Sequence, residues 1–142
     1  MLSQASGELS FQTRRQGFTD VTQPLSTWLT EHGAGEGLLT LLLRHTSASL
    51  VIQENADGDV LLDLGDALDG IAPQDGRYRH GAEGPDDMPA HIRSALTSPT
   101  LSIPVSGGRM ALGMWQAVYI AEHRTMPHKR RLAVHFLGEL TP

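Results

Sequence analysis

The 142 residues, 39% apolar and 19% charged, have the length of one domain and a globular composition too apolar for a disordered chain. A formal net charge of −5 argues against general nucleic-acid affinity, which needs clustered basic surface. No cysteine is present, so disulfides, thiolate metal sites and a cysteine nucleophile are excluded, and any metal must be held by His, Asp or Glu.

The opening MLSQASGELSFQTRRQ lacks an apolar signal core, and the apolar run Leu38 to Leu43 is too short to span a bilayer, so a cytoplasmic, membrane-free protein is expected. Period-two alternation from Glu8 to Thr13 predicts a first strand with Leu9 and Phe11 inward, and Arg14 to Gly17 reads as a turn. Leu25, Trp28 and Leu29, spaced i, i+3, i+4, predict a short helix capped at Thr22 and stopped at Gly33. Gly37 to Arg44 is apolar enough for a central buried strand, which puts His45 at a strand end. A second short strand spans Ser49 to Gln53, and a helix runs from Asp57 to Leu68.

The Gly- and Pro-rich stretch from Gly70 to Pro85 is longer than an ordinary connection, which points to a mobile or functional loop. Asp86 or Asp87 caps a helix to about Leu96, with Ile92 and Leu96 expected inward and His91 in its first half. The remainder predicts three or four strands joined at Ser106-Gly107-Gly108 and Met126-Pro127-His128. Elements in this order imply an α+β fold, a mostly antiparallel, sandwich-like sheet subunit with about three short helices in a single domain over residues 1–142.

Chemically capable side chains concentrate in His45-Thr-Ser-Ala-Ser, Glu54-Asn-Ala-Asp-Gly-Asp, the segment from His80 to His91, and the strand from Met114 to Arg124. His80 and His91 enclose Glu83, Asp86 and Asp87, a donor set suited to zinc or another divalent ion, although the spacing matches no short zinc motif. Asn55 and Asp57 read as a helix cap, or as a site where Asp57 holds Mg²⁺ on a pyrophosphate. Alternation puts Gln116 and Glu122 on one face of their strand and Trp115 on the other, where Trp115 is expected to be core. The basic stretch from Arg124 to Arg131 reads as a solvated hairpin end or a seat for a small anion.

HTSASLVIQENAD, YRHGAEGPDDMPAHI, IPVSGGRMALGMWQAVYIAEHR and RRLAVHFLGE resemble, in order and spacing, the YjbQ family of secondary thiamine phosphate synthases. Ala117 departs from the glycine that often follows Trp-Gln in that family, which touches ligand preference most directly. The resemblance implies a homotrimer with a histidine-rich pocket between subunits, and a weak activity joining hydroxymethylpyrimidine diphosphate to a thiazole phosphate. On that resemblance His45, His80 and His91 form one metal or phosphate site. Catalytic roles fall to His45, His91, Glu122 and Arg124, and substrate contacts to Thr46, Ser47, Asn55, Asp57, Asp87 and Gln116. Mg²⁺ is the expected counter-charge for pyrophosphate, with Zn²⁺ possible at the histidines. A metal-dependent hydrolase and a non-catalytic ligand-binding trimer are the alternatives.

Overall fold

The computed structural model describes Met1 to Pro142. In chain order the elements are β1 (Ser3–Thr13), β2 (Gly17–Asp20), α1 (Thr22–Glu31), β3 (Ala34–Leu43), β4 (Ala48–Glu54), α2 (Gly58–Ile71), α3 (Asp87–Leu96), β5 (Thr100–Ser106), β6 (Arg109–Met110), β7 (Gln116–Glu122) and β8 (His128–Leu140). Every named strand pairing is antiparallel, in a five-stranded sheet ordered β1-β8-β3-β5-β6 and a three-stranded sheet ordered β2-β7-β4. The expected α+β class with three helices is what the chain adopts.

Alternation explains how the sheets close on each other. Leu39, Leu41 and Leu43 of β3 and Leu132, Val134 and Phe136 of β8 project into one core, met from the smaller sheet by Leu50, Val118 and Ile120. Helix α1 contributes Leu25, Trp28 and Leu29, the three positions its spacing marked. Its cap differs from expectation: the Thr22 hydroxyl accepts the amide of Val118 on β7, and Asp20 Oδ1 receives the Thr22 amide.

Two further expectations fail, and one strand goes unpredicted, each for a local reason. Trp115 is 59% exposed because β7 begins one residue later and the tryptophan sits in the preceding turn. Leu96 is 58% exposed, because α3 buries the face carrying Asp87, Ala90 and Arg93 instead of an apolar stripe. The four-residue β2 was missed, since Gly17-Phe-Thr-Asp is too short to show a period.

Gly37 of β3 faces Gly138 of β8, and a Cβ on Gly138 would collide with the carbonyl oxygen of Glu36 and the Cα of Gly37. Backbone cannot swing aside as a flexible side chain can. Gly138→Ala is therefore expected to destabilise the fold by about 1–3 kcal/mol, the usual overpacking range; a urea midpoint equal to that of the parent chain would contradict this packing.

Candidate functional site

Helix α3 sets the first two components of the site. Asp87 in its first turn and His91 one turn later lie on the same face, and His91 Nε2 is 3.2 Å from Asp87 Oδ2. The loop between α2 and α3 supplies the third by folding back. Tyr78 donates to the Pro73 carbonyl at 2.6 Å, Gly84 takes a φ of 105°, and His80 Nε2 comes within 2.6 Å of the same Asp87 oxygen. The imidazole centroids stand 5.4 Å apart, edge to face. Nitrogen atoms of both histidines and an Asp87 oxygen all lie within 4.8 Å of one another.

Asp87 is 1% exposed, whereas both histidine side chains are more than 30% open to solvent, so the cluster has a buried base and an accessible rim. Its second oxygen meets Arg124 Nη1 at 2.8 Å. Arg124 is itself committed on every nitrogen: Nε donates to Asp86 Oδ2 at 2.9 Å and Nη2 to the Glu83 carbonyl at 2.9 Å. The Thr125 amide also reaches Asp86 Oδ2, at 3.0 Å. Burial opposes ionisation of Asp86, but the hydrogen bonds from Arg124 and Thr125 outweigh it and hold its carboxyl at about 2.

Glu122, at the end of β7, continues the network inward. Arg130 of β8 grips it with both prongs, Nε to Oε1 at 2.7 Å and Nη2 to Oε2 at 2.5 Å, while Thr13 of β1 donates to Oε1 at 2.6 Å. The Arg124 amide donates to Oε2 at 3.1 Å. Burial would raise the Glu122 carboxyl, yet these partners depress it and keep it ionised. On the far side of Arg130 lie the Ser47 hydroxyl, at 3.1 Å, and His45, whose Nδ1 is 3.4 Å from Nη1. His45 Nε2 accepts the Arg131 amide at 2.7 Å, and burial with the two neighbouring arginines lowers its pKa.

The expected set is therefore divided. His80, Asp87 and His91 converge, with Arg124 directly behind them and Glu122 behind Arg124. His45 does not join the other two histidines within the chain, because β3 delivers it to β8, where a backbone amide occupies its Nε2. Thr46 is exposed beside it. Asn55, Asp57 and Gln116 sit at the other end of the β4–β7 ladder, roughly 20 Å from Glu122 for strands of this length. There Asp57 caps α2 through the Asp59 amide, Gln116 accepts the Gly113 amide, and Asn55 leans on the carbonyls of Met114 and Gln116.

Residues 7–139 match the family model described as UPF0047 protein YjbQ-like. The chain belongs to the YjbQ-like UPF0047 family. It is 57% identical over 109 residues to the UPF0047 protein sll1880 of Synechocystis, covering 76% of this chain and 74% of that one. To the YjbQ protein of Escherichia coli O157:H7 it is 39% identical over 132 residues, 92% of this chain and 96% of that one. A crystal structure of a YjbQ/UPF0047 protein from Clostridium acetobutylicum superposes with a TM-score of 0.83 at 32% identity, covering 94% of this chain and 98% of that one.

Asp86 stands among the carboxylates between His80 and His91, and Arg130 and His123 belong to the basic stretch and the strand end before it, but nothing in the sequence singles out any of the three as a site residue. Arg130 was legible in principle, since it shares the inward phase of Leu132, Val134 and Phe136. His123 is 2% exposed, with Nε2 2.9 Å from Ser49 Oγ, and burial together with nearby Arg93 pushes its pKa down to about 4. In the unfolded chain it titrates at 6.5, so the stability tied to its neutral ring is complete above that pH and is lost as pH falls toward 4. From pH 7 to pH 5 the metal-free protein should lose about 2 kcal/mol through this group. Chemical denaturation checks it: His123→Gln should flatten the slope, and an unchanged slope would remove His123 as its source.

Proposed function

We propose that this YjbQ-like chain is a divalent-metal enzyme acting on a small phosphorylated metabolite, with thiamine phosphate synthesis as its specific reaction. One observation carries the metal assignment: two half-open imidazoles and a buried carboxylate present their donor atoms to a common point. Two nitrogens and one oxygen suit zinc better than Mg²⁺, which prefers an all-oxygen shell. A bound ion would supply Lewis acidity toward a phosphate oxygen.

The chain's own residues perform the positioning. Asp87 gathers the two Nε2 atoms that would hold the ion around one of its oxygens, and Arg124 fixes Asp87 through the other. With all three nitrogens engaged, Arg124 has little left to offer a departing pyrophosphate, and Glu122 is fully enclosed. Both support the site in this reading and do not act as acid, base or anion clamp. Attack by a thiazole nitrogen on the pyrimidine methylene needs no strong base, so approach and charge compensation are the main requirements.

A homotrimer extends the proposal. Alternation along β3 leaves Leu38 and Leu42 more than 40% exposed on the outer face of the large sheet, joined by Leu137, and Trp115 and Met114 stand open nearer the smaller sheet. Apolar residues on both phases of a strand are what a face covered on association requires.

Light scattering should give three times the 15.4 kDa chain mass, and a single-chain mass would remove the trimer. The purified protein, given hydroxymethylpyrimidine diphosphate, thiazole phosphate and either Zn²⁺ or Mg²⁺, should form thiamine phosphate, and His91→Ala should lower the rate at least about a hundredfold, the scale on which metal-shell changes act. Phosphate release without thiamine phosphate would favour the hydrolase reading. Ligand-induced thermal stabilisation without turnover would favour a binding trimer.

A further inference from the structure

A second concave feature lies apart from the histidines. It is a cleft of about 630 Å³ between the β1–β2 turn and α2, floored by Arg93, Glu122 and His123. None of His45, His80, Asp87, His91 or Arg124 lines it. Helix α2 buries none of its residues, although Leu61, Leu62 and Leu68 form one wall of the cleft, so its apolar side lacks the partner such a helix normally packs against. Gly65 sits mid-helix in the same wall, where helix propensity favours almost any other residue, and a Cβ built on it meets nothing within 4 Å.

The floor carries an unmet polar requirement. Arg93 is 3% exposed and spends Nη2 on Asp69 Oδ1, at 2.7 Å, and on the Ala72 carbonyl, at 3.1 Å. Its Nε is buried with no hydrogen-bond partner at all. A donor on a buried cation without an acceptor is a costly arrangement. Arg14 and Arg15 of the β1–β2 turn are exposed at the cleft and form no ion pair, whereas Glu122 is neutralised by Arg130 and Asp69 by Arg93. The uncompensated charge is mainly cationic, with Asp66 the one opposing group.

We infer that this cleft binds a small monocarboxylate with an apolar body, its carboxylate directed to Arg93 and its hydrocarbon against α2. A single unsatisfied buried donor, backed by two rim arginines, fits one carboxylate. A phosphate head would bring three acceptor oxygens to a floor that cannot answer them. The site is separate from the proposed metal centre, so the two stand or fall independently.

Calorimetric titration of the full-length, chelator-treated protein with hexanoate tests this. Saturable one-to-one binding is expected, at least tenfold weaker for hexanol and for hexyl phosphate. Gly65→Leu, which fills the open space without touching Arg93, should weaken hexanoate at least tenfold while leaving the fold as stable or more so. Failure of hexanoate to saturate, equal binding of hexanol, tighter binding of hexyl phosphate, or wild-type affinity in Gly65→Leu would overturn the proposal. A changed assembly mass in Gly65→Leu would also overturn it, by giving the cleft to a second copy of the chain.

Discussion

The structure turns on the buried pair of Glu122 and Arg130. A carboxylate and a guanidinium withdrawn from water are tolerable only when geometry is good and remaining lone pairs and protons are met. Here the fork is bidentate, Thr13 and the Arg124 amide complete the carboxylate, and the hydroxyl and carbonyl of Ser47 take the outer edge of the guanidinium. Three strands from two sheets, β1, β7 and β8, are thereby tied at one end. Truncating either partner would strand the other charge, which ordinarily costs about 3–5 kcal/mol.

That knot also fixes where the histidine site can form. Glu122 receives the amide of Arg124, whose side chain then reaches Asp86, Asp87 and the carbonyl of Glu83. One arginine so placed anchors both the long loop and the first turn of α3 to the end of β7. His80 and His91 meet because their common partner, Asp87, is held from behind. The site is thus a surface feature built on an interior one, with an open rim for a ligand and a base that has no freedom to drift.

Much of the fold was legible because alternation and helical spacing report burial directly. β8 reads inward at Leu132, Val134 and Phe136, and α1 at Leu25, Trp28 and Leu29. The site was less legible. Asp87 and His91 are four apart on a helix, a spacing that places them on one face, yet the family resemblance assigns the third metal position to His45 and a substrate contact to Asp87. What it lacked was the path of the loop, whose return depends on Tyr78, Gly84 and Arg124 and leaves no period to read. Likewise the segment from Arg124 to Arg131 reads as a solvated hairpin end or an anion seat, although Arg130 is buried in an ion pair with Glu122 across the sheets and Arg124 is half-buried against Asp86. Charges that pair over long sequence separations leave no local pattern.

Anomalous diffraction at the zinc edge, from crystals grown with stoichiometric zinc, tests the central claim most directly. A single peak at about 2.0–2.2 Å from His80 Nε2, His91 Nε2 and an Asp87 oxygen is the result predicted here. A peak at His45, or none at the three-residue cluster, would contradict it.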